Sequence, residues 1–339
     1  MKKFFALLMA AIMVLSLVGC AQQAPVEEAP VEEAVAEAPV EEAVAEPLKV
    51  AYLCPSLDVT FWRYCRYGVE NQLKTVLGEA NVEVVTYDSK NDANTQLNNA
   101  QDAITKQFDY IVISPTDSAA CVSVLGVAEE AGVPVVICDI GSDSGTWAGM
   151  VGTDNYGGAY EVGEYVAGLV EGDINYTQVT LPMARINGQK RKAGFDDAMA
   201  AAGNNTLVDF KQMENVDRSD GYNYGSDLLT AYPDAQVVFV HSDDPALGTL
   251  AAAEEVNSDV IISCFDINME VVEAVKAGKI TAVGAQQPVL MGRTCSDMVI
   301  ALENGEQFEA EVYLPTLLVT SENIDEVYDT LIATAMTEE

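Results

Sequence analysis

The sequence predicts an α/β protein of two doubly wound parallel-sheet lobes facing each other across a polar cleft. Three observations carry this. Short apolar runs end in Asp four times: IVISPTD (111–117), VVICDIG (135–141), VVFVHSDD (237–244) and VIISCFD (260–266). A strand buried on both faces of a parallel sheet reads as such a run, and ligands gather beyond the carboxyl ends of those strands. Strands and helices also alternate regularly, as right-handed βαβ units require. Finally, the alternation runs through two successive stretches of similar length, which pack most simply as two lobes.

The first strand is Leu48 to Cys54, LKVAYLC. Phe61, Cys65, Val69, Leu73 and Leu77 then recur every fourth residue, the stripe of a helix lying on a sheet. Strands follow at 82–88, 110–114, 134–138 and 150–153, separated by helices at 95–108 and 118–132, the latter stopped by Gly132. The second stretch places helices at 157–171, 189–202, 220–232, 245–256 and 268–277. Its strands fall at 176–181, 206–212, 237–241, 260–265 and 280–285. A helix at 289–304 and one strand at 312–319 complete the pattern and attach to one or both lobes.

The chain start stands apart from this body. Lys2 and Lys3 precede an apolar stretch from Phe4 to Val18, a secretory-signal pattern too short for a membrane span. Its Leu17-Val18-Gly19-Cys20 ending resembles the lipobox of bacterial lipoproteins, which implies acylation at Cys20 and an extracytoplasmic protein anchored to the outer face of the cell membrane. Residues 21–47 repeat APVEE and carry eight Glu with no Lys or Arg, a composition that buries no core. As an extended tether at about 3 Å per residue they would span on the order of 80 Å.

The formal charge of the chain is −36; setting aside the two lysines of the signal and the eight glutamates of the tether leaves −30 on the body. That balance argues against nucleic acid and anionic membrane surfaces as partners. Six cysteines remain after Cys20, none in a metal-binding spacing, and His241 is the only histidine, so a zinc site is not expected. The cysteines read as buried free thiols, with one disulfide as the alternative. No GxGxxG follows a strand and neither GxxxxGK[ST] nor GxSxG occurs, so nucleotide cofactors and a serine-hydrolase elbow lack support. A triad on His241 would have only Ser242 and Asp243 beside it, too close in sequence for the usual geometry.

At this point the residues resemble a family. LKVAYLCPSLDVTFWRYCRYGVE (48–70) is similar to the opening of type I periplasmic sugar-binding proteins near the ribose-binding group. ISPTDSAA (113–120), GVPVVICD (132–139), VGTDNYGGAYEVGEY (151–165), RKAGFDDAM (191–199), DDPALGTL (243–250), FD (265–266) and GAQQP (284–288) continue the likeness in order to about Thr320. The resemblance implies a hinge of three crossovers near 153–154, 286–287 and 314–315. The first lobe then comprises 48–153 and 287–314, and the second 154–286 and 315–336. It further implies a monomer without cofactor or catalysis, which closes on a small carbohydrate or polyol and presents it to an ABC-transporter permease.

Carried over residue by residue, the resemblance makes Phe61 and Trp62 stacking platforms for a sugar's C–H face. Asp139 and Asp266 become acceptors of ligand hydroxyls, Arg191 and Gln286 donors, and Asp243 and Ser242 contacts from the 237–244 stretch. Phe61 also fits the core stripe, Asp139 and Asp266 could each cap the next helix or loop, and Asp117 and Asp243 stand where a helix N-cap would. Departures accompany the matches: Ile140 replaces an Arg, Val59 and Ser242 replace Asn, and Val216 replaces an aromatic residue. The expected ligand is therefore less polar or differently hydroxylated than ribose, or carries an amine. A receptor feeding a sensor kinase or chemoreceptor is the rival function, and a hydrolase centred on His241 the third.

Overall fold

The computed structural model describes residues 46–336. The signal, the acylation at Cys20 and the tether up to residue 45 lie outside the described residues. Among the described residues no helix is long and apolar enough to cross a membrane.

The first run is β1 (Leu48–Cys54), α1 (Thr60–Leu77), β2 (Val82–Asp88), α2 (Ala93–Thr105), β3 (Tyr110–Ile113), α3 (Ser118–Ala131), β4 (Val135–Cys138) and β5 (Gly149–Thr153). The second is α4 (Asn155–Ala167), β6 (Asn175–Thr180), α5 (Ile186–Ala202), β7 (Thr206–Gln212), α6 (Arg218–Ala231), β8 (Val237–Val240), α7 (Asp243–Glu255), β9 (Ile261–Phe265), α8 (Met269–Lys276) and β10 (Ala282–Ala285). The chain then adds α9 (Pro288–Asn304), β11 (Glu311–Leu314), β12 (Leu317–Thr320) and α10 (Ile324–Thr334).

These strands form two six-stranded sheets, ordered β11-β5-β4-β3-β1-β2 and β12-β10-β9-β8-β6-β7. Every pairing is parallel except that of β12 with β10. The strand order reverses between β1 and β3 in one sheet and between β6 and β8 in the other. A crevice opens at such switch points, so the loops beyond these strands hold the candidate site.

Burial explains why the apolar runs become strands. All four residues of β3, β4 and β8 are buried, with helices covering both faces of each sheet. The α1 stripe packs as its spacing demands: Phe61, Cys65, Val69 and Leu73 are buried. Asp92 and Asp117 accept from the backbone N–H three residues on, capping α2 and α3. Gly132 and Gly305 end α3 and α9 in the left-handed conformation. The cysteines at 54, 65, 121, 138, 264 and 295 are free and buried.

Helix α9 crosses α1 at glycines. A Cβ on Gly292 would overlap the Cys65 carbonyl oxygen, and one on Gly68 that of Val289. Both obstacles are backbone, so Gly292→Ala must part the helices. We expect it to lower stability by about 1–3 kcal/mol, read as an earlier urea midpoint.

One sequence expectation needs correcting. The strand placed at 312–319 is two strands, β11 in the first sheet and β12 in the second, and Pro315 and Thr316 lie between them. Pro315 has no N–H for a ladder, so the run is interrupted and the chain changes sheet there. Passages between the sheets also occur from β5 to α4 and from β10 to α9.

Candidate functional site

A cleft lies between the carboxyl ends of the two sheets. From the first lobe it receives Val59, Phe61, Trp62, Asn91 and Asp139. Leu181, Arg185, Asn187 and Arg191 enter from the β6–α5 segment, and Asn215, Val216, Ser242, Asp266 and Gln286 from later strand ends. Of the eight residues the sequence nominated, seven line this cleft; Asp243 does not.

The apolar wall is built by the start of α1. Phe61 and Trp62 are adjacent, so a helix turns them about 100° apart, and their rings meet edge-on at 4.8 Å and 88°. Phe61 serves the core stripe and the cleft at once, being 8% exposed.

The polar wall rests on two carboxylates in equivalent places. Asp139 follows β4 and donates its N–H to Val151 O of β5, while Asp266 follows β9 and donates to Gly284 O of β10. Both take left-handed backbone, with φ of 73° and 66°. Asp tolerates that conformation better than most residues because its short polar side chain bonds locally. Val216 adopts φ 52° at the same cleft. For a β-branched residue this is strained backbone, which costs on the order of 1–3 kcal/mol and tends to gather at binding sites.

The two carboxylates differ in company. Asp266 accepts from Arg191 Nη1 (3.3 Å), Ser242 Oγ (3.1 Å) and Gln286 Nε2 (2.6 Å). Arg191 is locked in place, donating also to Asn155 Oδ1 (2.8 Å) and His241 O (2.5 Å), with its guanidinium 4.0 Å above the Phe265 ring. Asp139 accepts from Asn187 Nδ2 at 3.3 Å, and its Oδ1 is buried without a partner. Burial pushes the Asp139 carboxyl up to about 7, against the pull of Arg191 and Arg185.

Asp243 lies behind Ser242 and Asp266 and is not among the cleft's lining residues. Its carboxylate accepts from Asn268 Nδ2 (2.9 Å) and from the Asp244 N–H (2.9 Å), with the Ser242 hydroxyl 3.3 Å away. Burial, with Asp266 and Asp244 nearby, holds its carboxyl up to about 7. Asp117 likewise spends its carboxylate on capping α3. Thus two of the four strand-end carboxylates reach the cleft and two serve helix starts.

His241 is fully buried and tied into the second lobe. Nδ1 accepts from the Leu181 N–H (3.3 Å), and Nε2 then donates to Gln178 Oε1 (2.9 Å). Burial pushes its imidazolium well below the ordinary range, so the ring is neutral and holds no free lone pair for base catalysis. His241→Ala should orphan two buried polar partners and lower stability by roughly 1–3 kcal/mol, measurable by thermal melting.

Arg185 and Asn187 were not singled out from the sequence. They open α5 after β6, one of the switch-point strands, and that placement was the available signal. Here the lobes touch. Arg185 Nε donates to Thr116 O (2.9 Å), Ser118 N to Ala184 O (3.3 Å), and Ile186 N to Ser118 Oγ (3.3 Å). With the Asn187–Asp139 bond, they join the start of α5 to the loops after β3 and β4.

Two mostly parallel sheets that share one crevice beyond their strands' carboxyl ends are the architecture of a two-lobed solute-binding protein. The chain belongs to the periplasmic binding protein domain family, which matches residues 50–307. It is 28% identical to a ribose import binding protein of Bacillus subtilis, over 78% of this chain and 85% of the relative. Identity to the ribose import binding protein of Salmonella typhimurium is 31%, over 70% of this chain and 79% of the relative. Among solved structures, the Caulobacter myo-inositol binding protein bound to myo-inositol superimposes with a TM-score of 0.76 at 25% identity, covering 82% of this chain and 95% of that one. The two bacterial relatives are named for ribose import and binding, and the solved structure for the binding of myo-inositol.

Proposed function

We propose that the protein is the lipid-anchored, extracytoplasmic substrate-binding component of an ABC importer, and that its cleft takes a small neutral carbohydrate or polyol. The observation that carries this is the convergence of Phe61 and Trp62 with Asp139, Asp266 and Arg191 on one cleft between the two sheets. A sugar ring has an apolar C–H face for the aromatics and hydroxyls for the charged groups, and few other small molecules satisfy both walls. Two carboxylates and two arginines line the cleft, so formal charge balances and favours a neutral ligand. The ribose and myo-inositol named for the relatives belong to the same chemical class.

Ribose itself is the less favoured member. Val59 and Val216 bring only methyls to the cleft, and Ile140 is fully buried in the core beside it. Residues 48–153 with 287–314, and 154–286 with 315–336, move as units about the three passages between sheets, and the permease reads the closed form. Acylated Cys20 and the acidic tether keep the body near the membrane. A thermal-shift screen of pentoses, hexoses, inositols and linear polyols tests the assignment. At a hundredfold excess over Kd, a true ligand adds about 2.7 kcal/mol and raises the melting temperature by several degrees. A flat response to all of them would remove the carbohydrate assignment.

A further inference from the structure

Arg185 reaches into the cleft from the start of α5 and is 7% exposed. Its Nε is spent on the Thr116 carbonyl of the opposite lobe, which fixes the plane of the guanidinium. Its two terminal nitrogens have no protein partner among the described residues. A guanidinium held this way offers a flat edge of parallel N–H donors, suited to two neighbouring oxygens. Asp139, another of the cleft's lining residues, contributes a buried carboxylate oxygen without a partner, and Gln286 a buried carbonyl oxygen in the same state. The first lobe brings no cation to the cleft. Donor and acceptors therefore stand unused around the same cleft.

We propose that Arg185 is a specificity-determining ligand residue: its open edge donates to two vicinal hydroxyl oxygens of a neutral sugar or cyclitol, one of which donates in turn to Asp139. This rests on the carbohydrate assignment of the cleft. The contact exists only when the lobes are closed, because the Thr116 bond that orients Arg185 is itself made between lobes. A carboxylate would fit the same edge, but it would have Asp139 and Asp266 in the same cleft. Neutral diols are thus preferred to sugar acids.

The test is isothermal titration of wild type, Arg185→Gln, Arg185→Lys and Ser118→Ala. The probes are myo-inositol, D-ribose, other pentoses and hexoses, their deoxy analogues and a hexuronate. For the best-bound neutral compound, Arg185→Gln should weaken affinity by about thirtyfold, and Arg185→Lys, which keeps the charge and loses the paired edge, by about tenfold. Deoxygenation at the hydroxyl that does not reach Asp139 should cost wild type about tenfold and Arg185→Gln almost nothing, since its partner is already gone. Ser118→Ala loosens the lobe contact without touching the ligand, so its deoxy penalty should match wild type. Unchanged affinity in Arg185→Gln and Arg185→Lys, equal deoxy penalties in all variants, or tighter binding of the hexuronate would each overturn the role of Arg185 while leaving a binding cleft in place. If wild type binds no neutral compound, the carbohydrate assignment falls and this role with it. Should Arg185→Gln fail to fold, Arg185→Lys carries the same comparison.

Discussion

Asp139→Asn should bind ligand about ten- to a hundredfold more weakly than wild type, yet melt at a higher temperature near pH 8. The affinity loss follows from exchanging a charged acceptor for a neutral one, since a charged hydrogen bond contributes about 1.5–3 kcal/mol. The gain in stability has the opposite origin. Burial holds the Asp139 carboxyl up to about 7, whereas the unfolded chain titrates near the ordinary 3.9. Between roughly pH 4 and pH 7 the folded protein therefore binds more protons than the unfolded one, and stability falls as pH rises across that window. Above it the folded state carries a buried, poorly partnered charge at a cost of a few kcal/mol. Asparagine carries no such charge, tolerates the left-handed backbone at this position and still offers an oxygen to Asn187. Melting curves from about pH 4.5 to pH 8 should be flatter for the variant, with Asp243, whose carboxyl is also pushed up to about 7, and Glu161, raised by burial, contributing to the remaining slope. A lower melting temperature at pH 8 would contradict the burial argument.

Asp266→Ala should do the reverse to stability, lowering it by about 3–5 kcal/mol. Asp266 has the same strand-end position and backbone as Asp139, but it is the counter-charge of Arg191, whose side chain is 2% exposed. Removing the carboxylate leaves the guanidinium with Asn155 and a carbonyl, both neutral, and strips an acceptor from Ser242 and Gln286. Alanine in left-handed backbone adds about 1 kcal/mol more. Urea unfolding measures this directly, and ligand affinity should fall as well. Two matched aspartates with opposite effects on stability would separate a lone buried carboxylate from a paired one. A stable Asp266→Ala protein would mean that Arg191 finds its charge balance elsewhere.

Much of the fold could be read from the chain because parallel strands are short, apolar and followed by polar turns. The 206–212 run appears as β7 without change, and α1 keeps its stripe. The single strand expected at 312–319 failed because an apolar run with one proline does not say which sheet each half joins. Helix α10 has a weak sequence signal: Ile324, Val327, Tyr328 and Leu331 have helical spacing, but only Ile324 and Leu331 are buried and the segment is short. In the site, strand-end position located the carboxylates but could not orient them. Asp117 and Asp243 accept from backbone N–H groups at helix starts, whereas Asp139 and Asp266 line the cleft. Arg185 escaped notice because its role depends on a carbonyl in the other lobe, 69 residues away in sequence. Contacts that exist only between lobes leave no periodic signal.

The most direct measurement is isothermal titration of ligand-stripped protein at neutral pH against neutral pentoses, hexoses, inositols and linear polyols, with amino acids and nucleosides alongside. The cleft predicts saturable heat at one site per chain with at least one neutral polyhydroxyl compound, at micromolar Kd or about −8 kcal/mol. Heat from an amino acid or a nucleoside, with none from any sugar or polyol, would contradict it.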